Sequence, residues 1–320
     1  MRLPSTMTIR VQTATGRRTS SIAAIKMAAA TVAALFLLVA VSPFAQHWFS
    51  AQLERGEVVR YSSETDATAS TELQRLLDEA DAYNEGLAST VSEDPFANTD
   101  RRGEPQAATE MARYRKMLTT PSSKTMATLS IPSIGAILPV YHGSSEQTLR
   151  SGVGHIFGSS LPVGGPGTHA VLIGHSGYGH SRLFNDLAEL RSGDRFSVEA
   201  AGRTLTYAVT STEVVEPSDV SSLAASPGRD LMTLVTCTPT GVNTHRLLVH
   251  AERTAGASDA AGLDATGTRS FPWWFVASGC VIALWTAHAV LVMRRQPSAT
   301  AAPSHPSASR PDEPDEQASP

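Results

Sequence analysis

The sequence predicts a mostly β domain, a barrel or a sandwich, preceded by helices and carried between two apolar segments. Three observations predict it. From Thr125 onward short β-type runs recur (TMATLSI, AILPVY, THAVLIGH, RFSVEA, TLTYAVTSTEVV, LMTLVT and RLLVHA), separated by Gly, Pro and Ser clusters. Before them, Leu73, Leu76, Leu77, Ala80 and Tyr83 fall on one helical stripe. Near each end lies a long uncharged apolar stretch.

The apolar stretches set the compartment. Residues 1–26 carry Arg2, Arg10, Arg17, Arg18 and Lys26, a basic tail expected in the cytoplasm. Residues 27–46 follow as a signal peptide or signal anchor. Pro43-Phe44-Ala45 is a poor small-residue cleavage site, which favours an uncleaved anchor. Residues 271–293, beginning FPWWF, are long enough to span a bilayer, which takes about 20 residues. Trp273 and Trp274 suit the outer interface, and Arg294 and Arg295 the inner side. Both termini are then inside, and the region between is outside. His288, near the inner end of the second span, reads as a tolerated polar residue.

Residues 47–124 are expected to hold N-terminal helices and a loop. One helix covers Thr71 to Leu87, with Thr71 and Gln74 matching a capping box, and a second covers Ala107 to Leu118. The loop between them, SEDPFANTDRRGEP, is rich in turn formers. The β domain covers 125–253, interrupted by a helix over Ser181 to Arg191 in which Leu183, Phe184, Leu187 and Leu190 share a face. Residues 254–270 read as a linker, and 294–320 as a disordered cytoplasmic tail. Residues 47–270 carry 18 basic and 26 acidic side chains, a net of −8, which disfavours nucleic acid or anionic lipid as partner.

Cysteine usage sharpens the reading. Of the two cysteines, Cys280 lies in the second apolar segment, so the exported region holds Cys237 alone and cannot form an internal disulfide. An unpaired cysteine there is either a buried inert thiol or a reactive one. Cys237 ends the run LMTLVTC, and Arg246 begins the next strand, so thiol and guanidinium can face one cleft. A histidine would complete a set for acyl transfer. His175 ends the apolar run AVLIG beside a Gly-rich loop and is well placed to enter a cleft. His142, His155 and His169 lie near turns and could fill structure. His180 could start a helix, and strand alternation turns His245 away from the side of Arg246. No Gly-rich phosphate loop, metal-ligand cluster or dinucleotide fingerprint is present in the sequence, so no cofactor or metal is expected.

These motifs resemble those of the sortase family. TLVTC, Thr233 to Cys237, matches the family's TLxTC nucleophile motif. Arg246, nine residues on, matches the family arginine, and His175 in LIGHSG the family histidine. The resemblance covers about Thr125 to Glu252 and implies a sortase-type closed β-barrel with short helices. Three features resemble class C, the pilus-assembling sortases: the second apolar span, the extra N-terminal helices, and Asp94-Pro95-Phe96, similar to the DPW or DPF lid of that class. The resemblance implies that Asp94 pairs with Arg246 and that Phe96 shields Cys237.

It also implies a reaction. The Cys237 thiolate attacks the threonine carbonyl of an LPxTG-like sorting signal, and His175 protonates the leaving glycine amine. Arg246 bonds a substrate carbonyl or the oxyanion, and Thr236 assists substrate or oxyanion binding. A lysine amine of the next pilin then resolves the thioester. The partners implied are surface or pilin proteins bearing the signal, the acceptor pilin lysine, and the membrane, with no nucleic acid. Two alternatives remain: a housekeeping sortase anchoring proteins to cell-wall peptide, and a membrane-tethered barrel that only binds. A papain-like protease fits poorly, because there the nucleophile starts a helix and precedes the histidine, whereas here His175 comes first.

Overall fold

The computed structural model describes residues 15–87, 105–120, 123–177, 184–254 and 273–294. The chain divides into two compact units, Ser42–Trp274 on the one hand and Met1–Val41 with Phe275–Pro320 on the other. Helix α1 (Thr15–Ala67) is followed by α2 (Ser70–Glu85) and α3 (Pro105–Tyr114). The strands are β1 (Ala127–Ile131), β2 (Ala136–His142), β3 (Val153–His155), β4 (Thr168–Ile173), β5 (Arg195–Ala200), β6 (Arg203–Val215), β7 (Asp230–Thr238) and β8 (His245–Arg253). A short helix, α4 (Glu146–Ser151), sits between β2 and β3, and α5 (Trp273–Arg294) ends the described chain.

The strands close into a barrel, in the order β1-β2-β3-β4-β7-β8-β6-β5, rather than stacking as a sandwich. Pairings β2–β3 and β4–β7 are parallel, and the others antiparallel. Closure leaves no open sheet edge to template pairing with another chain. Leu129, Ile131, Leu172, Phe196, Val198, Leu234 and Val249 are among the residues of the main core. The β5–β6 hairpin turns on Ala201 and Gly202, with φ of 47° and 77°. Two successive left-handed residues give the turn whose twist matches the flanking strands.

The helices are pinned to the barrel by polar contacts that range from half-exposed to fully buried. Tyr61 of α1 accepts from Ala201 N–H (2.9 Å) and donates to Met126 O (3.3 Å). Asn84 at the end of α2 pairs with both backbone groups of Leu161, at 2.7 and 3.1 Å. Arg203 lies 3.3 Å from Asp81, also on α2. The buried Tyr114 of α3 accepts from Gly143 N–H (3.1 Å), and its hydroxyl lies 2.7 Å from His155 O and 2.9 Å from His155 Nδ1. His142 Nε2 meets Met117 O at 2.9 Å.

Two expectations need correction. The N-cap of α2 is Ala69, with no side-chain cap, and Gln74 donates instead to Asp78 at 2.6 Å. The segment expected as a helix over Ser181 to Arg191 is, within its described part, a turn and a 3-10 turn at Leu187–Glu189. Asn185 accepts from Gly177 N–H (2.6 Å), and such local side-chain bonds compete with helix. Of its apolar positions, Phe184, Leu187 and Leu190 are nonetheless buried, the first two completely, and Leu183 lies outside the described residues. Strand β3 and helix α4 carry no sequence signal strong enough to read, being three and six residues long.

Two helical stretches, Ala24–Pro43 and Trp273–Val292, are long and apolar enough to cross a membrane, and almost none of either is buried. Within the terminal unit, Trp285 donates to Thr31 (3.1 Å), the kind of polar link that joins apolar helices. At the start of α5, Trp274 packs on Trp48 and Phe49, with ring centroids 6.0 and 5.8 Å apart.

Burial pushes His142 and His155 down to about 4. Both are neutral in the fold, while unfolded imidazoles titrate near 6.5. Protons therefore favour the unfolded chain in between, and stability present above pH ~6.5 should be lost as pH falls toward ~4. The melting temperature should fall progressively across that window, and a His142→Gln variant should show a flatter dependence.

Candidate active site

Strand β7 lies between β4, its parallel neighbour, and β8, its antiparallel neighbour. Its register carries the site. Ile173 stands opposite Val235, and Val235 opposite Leu248. These three belong to a small apolar cluster with Leu149, Ile156, Val171 and Leu223, separate from the main core. Intervening residues such as Leu172, Leu234 and Leu247 point into the main core. Side chains repeat every second residue along a strand. Cys237 therefore follows Val235 on the face of the small cluster, and Arg246, directly opposite Cys237, precedes Leu248 on it.

The β4–β7 ladder continues past the end of β4. Gly174 N–H donates to Val235 O at 3.0 Å. His175 follows Gly174 directly, one residue past that bond. Two buried hydroxyls lock this extension. Thr236 donates to Gly174 O at 2.7 Å, and Ser176 donates to the Cys237 carbonyl. Each clamps the strand end bearing the other's neighbour, so the spacing of His175 and Cys237 is held from both sides.

Cys237 and Arg246 are each only 9% exposed. The Arg246 guanidinium donates to Asn243 O (3.3 Å) and to its neighbour His245 O (3.2 Å), which folds it over the β7–β8 turn. His175, with 15% of its side chain exposed, places Nε2 3.4 Å from Glu146 Oε2. Burial pulls the His175 imidazole below its ordinary value, and the Glu146 carboxylate offsets part of that. His169 and His250 bond Thr233 from either side, at 2.7 and 2.8 Å, and His250 also meets Glu213 at 2.9 Å. His245 faces Glu216 at 3.3 Å. Of the described histidines, His175 is the one that directly follows the end of β4 bonded to β7 at Val235 and Thr236. Asp94, Pro95 and Phe96 lie outside the described residues.

The Sortase domain family matches residues 129–254, which take in β1 from Leu129 and the whole of β2 to β8. The chain is similar to sortase C-1 from Actinomyces oris, at 44% identity over 57% of this chain and 99% of that one, with a TM-score of 0.53. The pilus-related sortase C of Group B Streptococcus matches at 38% identity over 61% and 95%, with a TM-score of 0.53. The chain belongs to the sortase family. Sortase A of Bacillus anthracis is 35% identical over 38% of this chain and 56% of its own length. This sortase spans 51 to 64% of the length of the curated relatives it matches.

The sequence places Thr236 beside Cys237, and the family resemblance suggests contact with substrate. In the fold this residue is 2% exposed and its hydroxyl proton is used within the barrel. Ser176 and Glu146 are not picked out by the sequence motifs. A serine directly after the histidine is a signal for the first, whereas Glu146 depends on helix α4, which the sequence does not announce. Thr236→Val should remove one buried bond, lowering stability by about 0.5–1.5 kcal/mol. Denaturant unfolding should show that loss, with the protein still folded in native buffer.

Proposed function

We propose that this sortase is a class C enzyme, a cysteine transpeptidase that cleaves an LPxTG-like sorting signal between threonine and glycine and transfers the acyl group to a pilin lysine, polymerising pili. The observation that carries the reading is Cys237 on β7 opposite Arg246 on β8, with His175 just past the end of β4 that is bonded to β7, in a chain similar to a pilus-related sortase C over 95% of that solved chain.

The chemistry follows from what each side chain can do. A thiol is a weak nucleophile until ionised, its ordinary pKa is ~8.5, and positive charge beside it favours the thiolate. Arg246, fixed opposite Cys237, supplies such charge. The Cys237 thiolate adds to the threonine carbonyl, and negative charge gathers on that oxygen. An arginine keeps its proton, so Arg246 stabilises the oxyanion or binds a substrate carbonyl without entering proton transfer. His175 gives its proton to the glycine nitrogen as the carbon–nitrogen bond breaks, leaving a thioester. The incoming lysine amine loses a proton to His175, attacks the thioester carbon and expels Cys237. An isopeptide bond remains and the enzyme is restored.

The two apolar helices serve membrane anchoring in this reading. The basic residues before the first and Arg294 and Arg295 after the second favour the cytoplasmic side, which leaves the barrel extracellular. Asp94, Pro95 and Phe96 form a lid over the site, with Asp94 toward Arg246 and Phe96 over Cys237. The flanking helices are in keeping with this: α2 is tied to the barrel through Asn84 and α3 through Tyr114.

Incubation with an LPxTG peptide should add to the intact mass the peptide through its threonine, and Cys237→Ala should abolish the adduct. An adduct on the Cys237→Ala protein would refute the nucleophile. Phe96→Ala should raise the rate at which a thiol reagent labels Cys237, and an unchanged rate would remove the lid.

A further inference from the structure

Helix α4 is set directly behind the site histidine. Ser145 caps it by accepting from Thr148 N–H at 3.2 Å, and Leu149 anchors it in the apolar cluster that holds Val171 and Ile173 of β4. The helix is therefore fixed to the same floor as the strand that presents His175. Glu146, its first residue, has both carboxylate oxygens engaged. Oε1 accepts from Arg150 Nε at 3.1 Å, an i,i+4 pair that orients the carboxylate. Oε2 lies 3.4 Å from His175 Nε2, an atom with no contact to solvent. Glu146 itself is half exposed, so it keeps its charge without a large desolvation cost.

We propose that Glu146 is the positioning residue of His175: its carboxylate fixes the imidazole ring and stabilises the ring's protonated form. The inference rests on the reading of His175 as the proton carrier of the transfer. A general acid must hold its proton until the carbon–nitrogen bond breaks. Burial works against the imidazolium, and so does Arg150, while Glu146 works for it. On the neighbouring strands the described charged or titratable groups nearest this strand end are Cys237 at the end of β7 and Arg246 opposite it on β8. With burial and Arg150 both opposing the charge, the Glu146 carboxylate is the group that keeps the imidazolium populated. When the leaving amine takes the proton the ring becomes neutral. When the incoming lysine returns one, Glu146 is placed to stabilise the charge again.

The test uses the full chain in detergent, with an LPxTG peptide as donor and a lysine-containing peptide as acceptor. In a Cys237→Ala background, the His175 ring is titrated by NMR, assigned by its loss in His175→Gln. Adding Glu146→Gln should move its midpoint down by about one pH unit, the low end of what a neighbouring opposite charge does. In the enzyme with Cys237 intact, Glu146→Gln should shift the limb of the kcat/KM profile set by His175 to lower pH by a similar amount. It should lower kcat about tenfold, the factor carried by one pH unit, with KM little changed. Glu146→Asp should recover part of both. An unmoved NMR midpoint overturns the proposal, as does a kcat loss that leaves the pH profile in place. A wild type that forms no peptide adduct while the midpoint still shifts would refute the transpeptidase reading and uphold the contact.

Discussion

Everything at the site depends on the register of β7 between its two neighbours. One slip by a single residue would turn Cys237 into the barrel and bring Thr236 to its face. The register is held by opposite demands on the two sides of the strand. Met232 and Leu234 are required by the main core, and Val235 by the smaller cluster outside it. With both faces of β7 committed to apolar packing, Cys237 and Arg246 are placed by burial that has nothing to do with chemistry. The two hydroxyl clamps then extend the order beyond the ladder, where the backbone of β4 has ended.

Charge at the site is arranged in a line rather than a cluster. Arg246 stands on β8, Cys237 on β7, His175 beyond β4, and Glu146 on α4 behind it. Positive, nucleophilic, titratable and negative groups therefore follow one another across neighbouring elements. The buried part of this line has few ways to adjust its charge, since an arginine stays protonated and a thiolate needs a positive neighbour. The imidazole of His175 is the member whose charge can change, disfavoured by burial and favoured by the half-exposed Glu146 carboxylate.

Much of this is legible in the sequence, and the reason is local. Cys237 closes an apolar run and Arg246 opens the next, so a short connection between the two strands lets them face one cleft, and the register that pairs them settles it. His175 is legible because an apolar strand ends on it. The barrel, rather than a sandwich, is not readable from the runs themselves, since closure depends on long-range pairings such as β1 with β5 that leave no periodic trace. Strand β3 stays hidden because a three-residue strand exposes no period. The segment from Phe184 to Leu190 has an apolar spacing that suits a helix, while Asn185 uses its side chain to hold the preceding loop.

The same locality explains Thr236. Its place beside the cysteine suggests contact with substrate, and nothing in a linear sequence distinguishes a hydroxyl facing the cleft from one facing the core. Alternation decides it: if Cys237 faces the site, its neighbour cannot. A buried threonine hydroxyl must then find an acceptor inside the barrel or carry a desolvation cost of about 1–3 kcal/mol. The nearest strand end, at Gly174, supplies it. The hydroxyl of Thr236 is thus spent on holding the backbone just before His175.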